Sequence, residues 1–320
     1  MKNIRHKRNP TKRTAIGIQE IASYIPEGRI SNYERKELFK IDDTFIEKKI
    51  GVKRVSLRGA DEDTSDLCLK AYENLLKKTS LNPSEIEVLT VVTQNPDTNI
   101  PHTSAIVHGR LDLPVRCAAF DISLGCSGYV YGLGILQAFM RDNGFTKGLL
   151  FTADPYSKII DLNDKNTSLL FGDASSVTLV SASPLYVSRA MTFGTVGADY
   201  MKLICIDNKL RMHGKAVLDF VIRYVPDDLL ALLKRSKIDL CDINKFVFHQ
   251  GSRYIIDMLT KRLNLAREKV VFDIFDYGNT VSSSIPIVLE KEIADRGNKK
   301  ILISGFGTGF SWSSGVLERS

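Results

Sequence analysis

Residues Cys117–Gly128 read CAAFDISLGCSG, and Val270–Ser282 read VVFDIFDYGNTVS; the shared Phe-Asp-Ile triplet places Asp121 152 residues ahead of Asp273. Working outward, the same grammar continues on both sides. Upstream, Asn82–Gln94 (NPSEIEVLTVVTQ) and Asp239–Gln250 (DLCDINKFVFHQ) each run from a loop through acidic residues into a β-branched or aromatic strand. Between these blocks a helical pattern closes at Leu111–Leu113 in one copy and at Leu263–Leu265 in the other. Downstream, after a further helix, Gly148–Thr152 (GLLFT) matches Lys300–Ser304 (KILIS). Four matches in one order indicate a duplicated chain, and the alternation of strands with helices sets the class as α/β. We divide the chain into a basic leader, 1–13, an N-terminal half, 14–185, and a C-terminal half, 186–320. Two such halves pack about a pseudo-two-fold axis, where equivalent strand ends converge. Residues just after those strands are therefore the candidates for chemistry.

Composition narrows the function before any motif is weighed. The chain has 320 residues, 43% of them apolar and 25% charged, enough for a large core and unlike a disordered or fibrous protein. Its net charge is +7. Six of the basic residues (Lys2, Arg5, Lys7, Arg8, Lys12, Arg13) fall in the acid-free leader, which leaves the folded body nearly neutral and gives nucleic-acid binding little support. The leader reads as a solvated, flexible tail, and with no apolar stretch or small-residue cleavage site behind it, it makes a poor secretion signal. Leu124–Met140 is uncharged but short and glycine-rich for a membrane span, so we expect a buried helix and no membrane crossing. The five cysteines (Cys68, Cys117, Cys126, Cys205, Cys241) show no metal-ligand spacing; we expect no metal and a reducing, cytoplasmic setting.

Three side chains stand at repeated strand-to-turn junctions. Cys126 opens a small-residue helix, where unpaired amide N–H groups and the positive dipole end favour thiolate. Elsewhere a cysteine of this kind is a buried apolar side chain, the role we give the other four. His249 follows the strand Lys245–Phe248, a place where a histidine otherwise serves as a hydrogen-bonded structural residue. Asn279, between Gly278 and Thr280, occupies in the second copy the position that Cys126 holds in the first. Gly305-Phe306-Gly307-Thr308-Gly309 follows the last strand and could bring backbone N–H groups against a carbonyl; without the GxGxxG spacing it is no dinucleotide fingerprint. Phe171-Gly172-Asp173 reads as close packing without chemistry. One thiol, one imidazole and one carboxamide are the parts required for thioester chemistry.

These motifs, together with Val281-Ser282-Ser283-Ser284-Ile285, Phe310-Ser311-Trp312, Ile25-Pro26-Glu27 and Lys49-Ile50-Gly51-Val52, resemble the β-ketoacyl-acyl-carrier-protein synthase III family of thiolase-fold condensing enzymes, in order from about Ala15 to Glu318. The resemblance implies two duplicated mixed-sheet halves in an α-β-α-β-α layered arrangement, and a homodimer. It implies that Cys126 takes an acyl group from a thioester. Malonyl carrier protein then loses carbon dioxide beside His249 and Asn279, and the enolate attacks acyl-Cys126. The backbone N–H groups of Cys126 and Thr308 would form the oxyanion hole. No permanently bound cofactor is implied; the substrates are acyl-coenzyme A or acyl carrier protein, and malonyl carrier protein.

Departures from the family pattern are informative. Thr308 replaces a usual glycine, and Gly251-Ser252 follows His249-Gln250 where the family has Ala-Asn. At the coenzyme A site, Phe45 and Lys165 stand where the family clamps adenine between tryptophan and arginine, and Lys49 replaces another arginine. Lysine is a point charge and not a planar stacking partner, which favours carrier protein as acyl donor. Lys261 and Arg262 keep part of the basic patch that docks the acidic carrier, while Asp219 and Tyr254 break it. Ile100 replaces an aromatic that reaches across the dimer. Alternatives from other classes are an acyltransferase to oxygen or nitrogen and a partner subunit without catalysis; a hydroxymethylglutaryl-type synthase would need a glutamate that Val92–Asn95 does not offer.

Overall fold

The computed structural model describes residues 15–320; the basic leader 1–13 lies outside the described residues. The described residues open with β1 (Gly17–Tyr24) and β2 (Gly28–Ser31), then α1 (Lys36–Phe39) and a π-helical turn, Phe45–Ile50, before β3 (Arg54–Leu57) pairs back onto β2. There follow α2 (Thr64–Leu76), β4 (Val88–Val92), α3 (Thr103–Arg110), β5 (Ala118–Ile122), α4 (Gly128–Asn143), β6 (Lys147–Ala153), the single turn α5 (Lys165–Ser168) and β7 (Ser175–Ser181). The second set is β8 (Tyr186–Thr195), the hairpin β9 (Leu203–Ile206) and β10 (Lys209–Met212), α6 (Gly214–Ser236), β11 (Lys245–Phe248), α7 (Arg253–Arg262), α8 (Ser284–Ala294), β12 (Lys300–Gly307) and β13 (Ser311–Arg319).

Nine strands join in the order β11-β12-β13-β8-β1-β7-β6-β4-β5. The order is a duplication written twice. In the first set β4 pairs in parallel with β5 and β6, β6 pairs antiparallel with β7, and β7 antiparallel with β1. In the second, β11 pairs in parallel with β12, then β13 and β8 follow antiparallel. A parallel bridge between Phe246 and Val270 stands where β5 would pair, so the second copy of the Phe-Asp-Ile segment is loop where the first is strand. The equivalent strands β1 and β8 meet antiparallel at Gly17–Val187 and Ile18–Tyr186, the pairing a two-fold axis requires.

Burial follows from sequence pattern. The central strands β4 and β7, and β6 after its first residue Lys147, are apolar or small at every position and buried throughout, as expected of strands covered on both faces. Helix α2 is amphipathic and starts on a capping box, Asp63 accepting from Thr64 N–H and Asp66 from Asp63 N–H. Helix α4 touches β4 and β6 in one half and β12 and β13 in the other; α8 likewise touches β1 and β7 as well as β11 and β12. Only helices lying between two sheet halves can do this. With α2 and α3 outside one half and α6 outside the other, the layers are α-β-α-β-α. The N-termini of α4 and of the turn leading into α8 thus meet near the axis, and these carry Cys126 and Asn279.

Candidate active site

Cys126 directly precedes α4, with Ser127 as the cap residue. His249 follows the last residue of β11, anchored by its own N–H on the Ser304 carbonyl of β12 at 2.8 Å. Asn279 sits at the end of the loop before the turn Val281–Ser283. Its backbone is clamped on both sides, its N–H donating to Leu170 O at 2.7 Å and its carbonyl accepting from Gly172 N–H at 3.0 Å. The segment Leu170–Gly172, to whose Phe171-Gly172 part we assigned no chemistry, is thus what fixes Asn279. All three side chains are buried, at 4%, 3% and 3% exposure, and all three line one cavity of about 630 Å³.

Inside the cavity the hydrogen bonds fix orientations. Asn279 Oδ1 accepts from Val281 N–H at 2.9 Å, which turns Nδ2 toward the ring of His249, 3.4 Å from Nε2. The opposite ring nitrogen, Nδ1, lies 2.7 Å from Ser284 Oγ. Phe306 stands edge-on to the imidazole at 5.7 Å between ring centres and shields it from water. Burial drives the His249 pKa down to about 3, so the ring is neutral at pH 7. Gly307, at φ 150°, faces the sulfur so closely that a Cβ there would lie 2.8 Å from Cys126 Sγ.

The thiolate expected at the helix start is not what the resting site holds. Burial pushes the Cys126 thiol up to about 11, because the cost of leaving a charge in an apolar pocket exceeds the help from the Thr308 amide and hydroxyl and from the cysteine's own N–H. At pH 7 Cys126 therefore rests as the thiol. A second buried group ties the floor together: Asp154 accepts from Gln94 N–H at 2.7 Å and from Ser282 Oγ, joining the segments after β4 and β6 to the Asn279 loop, and burial raises its pKa to about 6.

Toward solvent the same cavity is lined by Phe45, Lys49, Lys165 and Tyr254. Lys165 Nζ lies 5.0 Å and Lys49 Nζ 5.3 Å from the Phe45 ring centre, so both cations attend the ring expected to stack. Lys165 also donates to Phe39 O at 3.1 Å. Lys261 and Arg262 do not line the cavity; they end α7 exposed, about two turns from Tyr254. Sequence reasoning left Ser284, Tyr156, Asp154 and Gln94 without a role, since nothing in their spacing marks them. Among the described residues no cluster of three or more His, Cys, Asp or Glu is placed to hold a metal, and no helix is long and apolar enough to cross a membrane.

A buried thiol, a neutral imidazole and a carboxamide lining one cavity, at the seam of a duplicated α/β fold, are the arrangement of the class of thiolase-fold condensing enzymes. Comparison with known proteins narrows it. A family profile described as 3-oxoacyl-[acyl-carrier-protein] synthase III matches residues 120–197, and one for the C-terminal part of the same synthase matches 233–319. The β-ketoacyl-[acyl-carrier-protein] synthase III of Streptococcus sanguinis (strain SK36) is 33% identical over 319 residues, 94% of this chain and 98% of that protein. Its counterpart in Lactococcus lactis subsp. lactis (strain IL1403) is 28% identical, covering 95% and 99%. The solved synthase III from Thermus thermophilus superposes with a TM-score of 0.88 at 30% identity, covering 95% of this chain and 99% of the other. The chain belongs to the 3-oxoacyl-acyl-carrier-protein synthase III family.

Proposed function

We propose that this chain joins an acyl group to a malonyl unit by decarboxylative condensation through an acyl-Cys126 intermediate, releasing a 3-oxoacyl carrier thioester. The observation that carries the reading is the cavity that Cys126, His249 and Asn279 share. In the first half-reaction the Cys126 sulfur attacks the donor thioester carbonyl, the carrier sulfur leaves as thiol with the proton, and the backbone N–H groups of Cys126 and Thr308 hold the oxyanion. In the second, the carboxylate of malonyl carrier protein leaves as carbon dioxide and its bonding electrons pass to the thioester oxygen as an enolate. That oxygen charge is met by two donors. With Ser284 Oγ–H donating to Nδ1, the ring proton of His249 sits on Nε2 beside the Asn279 amide. The enolate carbon then attacks the acyl carbonyl and expels the Cys126 sulfur. Transfer to an oxygen or nitrogen nucleophile has no use for these paired donors, and a subunit without catalysis has none for the cysteine.

For the donor we favour acyl carrier protein over acyl-coenzyme A, since Lys49 and Lys165 already occupy the neighbourhood of the Phe45 ring and both suit a single phosphodiester. Lys261 and Arg262 are proposed as outlying docking cations for the same acidic carrier. We place the enzyme in the cytoplasm, where its five free thiols stay reduced. A second copy pairing on the open edge of β5 fits the half-buried state of every residue in that strand.

Intact-mass spectrometry tests the reading. Incubation with an acyl carrier protein should add the acyl mass to the wild-type chain and not to Cys126→Ala, and malonyl carrier protein should then discharge it as a 3-oxoacyl product. A chain that stays unmodified across a panel of acyl carriers and acyl-coenzyme A thioesters sinks the proposal.

A further inference from the structure

The hydroxyl of Thr308, absent where the family has glycine, is placed for work distinct from that of the backbone amide. Its Oγ1 lies 3.8 Å from Cys126 Sγ and 3.4 Å from Tyr156 OH. Tyr156 OH in turn lies 3.1 Å from Gln94 Oε1, to which it donates. Cys126 and Tyr156 are buried, at 4% and 2% exposure. The four groups form one hydrogen-bonded file leading away from the sulfur.

The polarity of that file follows from what each atom can do. A carboxamide oxygen only accepts, so the Tyr156 proton is committed to Gln94 and the tyrosine oxygen is left as an acceptor. The single Thr308 proton therefore has two destinations, Tyr156 OH or Cys126 Sγ. While the sulfur is a thiol, S–H donates to Thr308 Oγ1 and Thr308 donates onward to Tyr156. When the sulfur carries charge, a rotation about the Thr308 Cβ–Oγ1 bond turns the same proton onto it. Such a hydrogen bond to a charged acceptor is stronger than one between neutral groups. We propose that the Thr308 side chain is a reorienting partner of the nucleophile, acceptor to the thiol and donor to the thiolate, with Tyr156 and Gln94 as the positioning residues that set its direction. The inference rests on Cys126 being the nucleophile, and it adds to the site a second donor, besides the amides, that acts during attack and again when the sulfur is expelled.

The test is the pH dependence of Cys126 alkylation by iodoacetamide, read at that residue by peptide mass spectrometry so that the exposed Cys205 and Cys241 do not interfere. Thr308→Val keeps the branched shape and the backbone N–H but has no hydroxyl; its Cys126 profile should move to higher pH, with the rate at pH 8 falling about tenfold. Thr308→Ser should restore the wild-type profile. Tyr156→Phe removes the competing destination for the Thr308 proton and should move the profile the other way, to lower pH. A Thr308→Val profile superimposing on wild type, a Thr308→Ser variant that behaves like valine, or an upward shift in Tyr156→Phe overturns the assignment. Alkylation needs no acyl or malonyl substrate, so this outcome is separate from whether the chain condenses thioesters.

Discussion

Asn279 Nδ2 lies 3.4 Å from His249 Nε2 across 30 residues of chain, while Asn279 Oδ1 is turned away to take the Val281 N–H. Two side chains from different loops thus aim hydrogen-bond donors at one point, and the first prediction follows from that. His249→Ala and Asn279→Ala should each leave acylation of Cys126 within a few-fold of wild type and slow malonyl decarboxylation about a hundredfold to a thousandfold. Acyl-enzyme mass measures the first step and carbon dioxide release the second. Equal loss of both steps would contradict the division of labour.

The neutral ring has a pH signature. Because burial holds the His249 pKa at about 3 against an ordinary 6.5, decarboxylation should show no ionisation of a histidine between pH 7 and 5. Stability should behave differently. Below pH 6.5 the unfolded chain binds a proton at this residue that the native state refuses, so stability falls as pH drops toward 3. Asp154 acts with the opposite sign: its pKa of about 6 exceeds the ordinary 3.8, so the native state binds the extra proton in that window and its contribution grows as pH falls. Urea melts of wild type and His249→Gln at pH 7 and 5 separate the two, with a shallower acid decline in the variant.

Gly172 should be as intolerant as a core position. A Cβ there would lie 1.9 Å from the Tyr277 carbonyl, and the Gly172 N–H is the group that holds the Asn279 backbone. Gly172→Ala should cost about 1–3 kcal/mol in denaturant unfolding. Its decarboxylation should fall further than its acylation, since the displaced loop carries Asn279 and not Cys126.

At the mouth, the lysines make the donor preference measurable. Wild type should show a higher kcat/KM with acyl carrier protein than with the matching acyl-coenzyme A. Joint replacement Phe45→Trp and Lys165→Arg, which restores a planar clamp, should narrow that ratio by improving coenzyme A use. A wild-type preference for acyl-coenzyme A would refute the assignment of the donor.

The repeated Phe-Asp-Ile blocks disclosed the duplication, and with it the axis toward which Cys126 and Asn279 had to point, because a two-fold relation between like segments brings like strand ends together. Cys126 and His249 were legible because each follows a strand whose apolar pattern is plain in one dimension, and Asn279 because the repeat sets it where Cys126 stands in the first copy, although its own segment folds as loop. Ser284, Tyr156 and Gln94 were not, since a serine five residues past an asparagine or a glutamine after a strand has no distinguishing period; their roles come from neighbours more than thirty residues away. The protonation state of the nucleophile also needed three dimensions. Sequence placed Cys126 at a helix start, which favours charge, yet how much water the surrounding halves exclude decides the balance, and that exclusion pushes the thiol up to about 11. What the amino-acid order settled by itself was therefore the fold, the axis and which three side chains would share a cavity. Folding settled their charge and the hydroxyl beside the sulfur, because desolvation and hydrogen bonding are properties of packed neighbours and not of chain order.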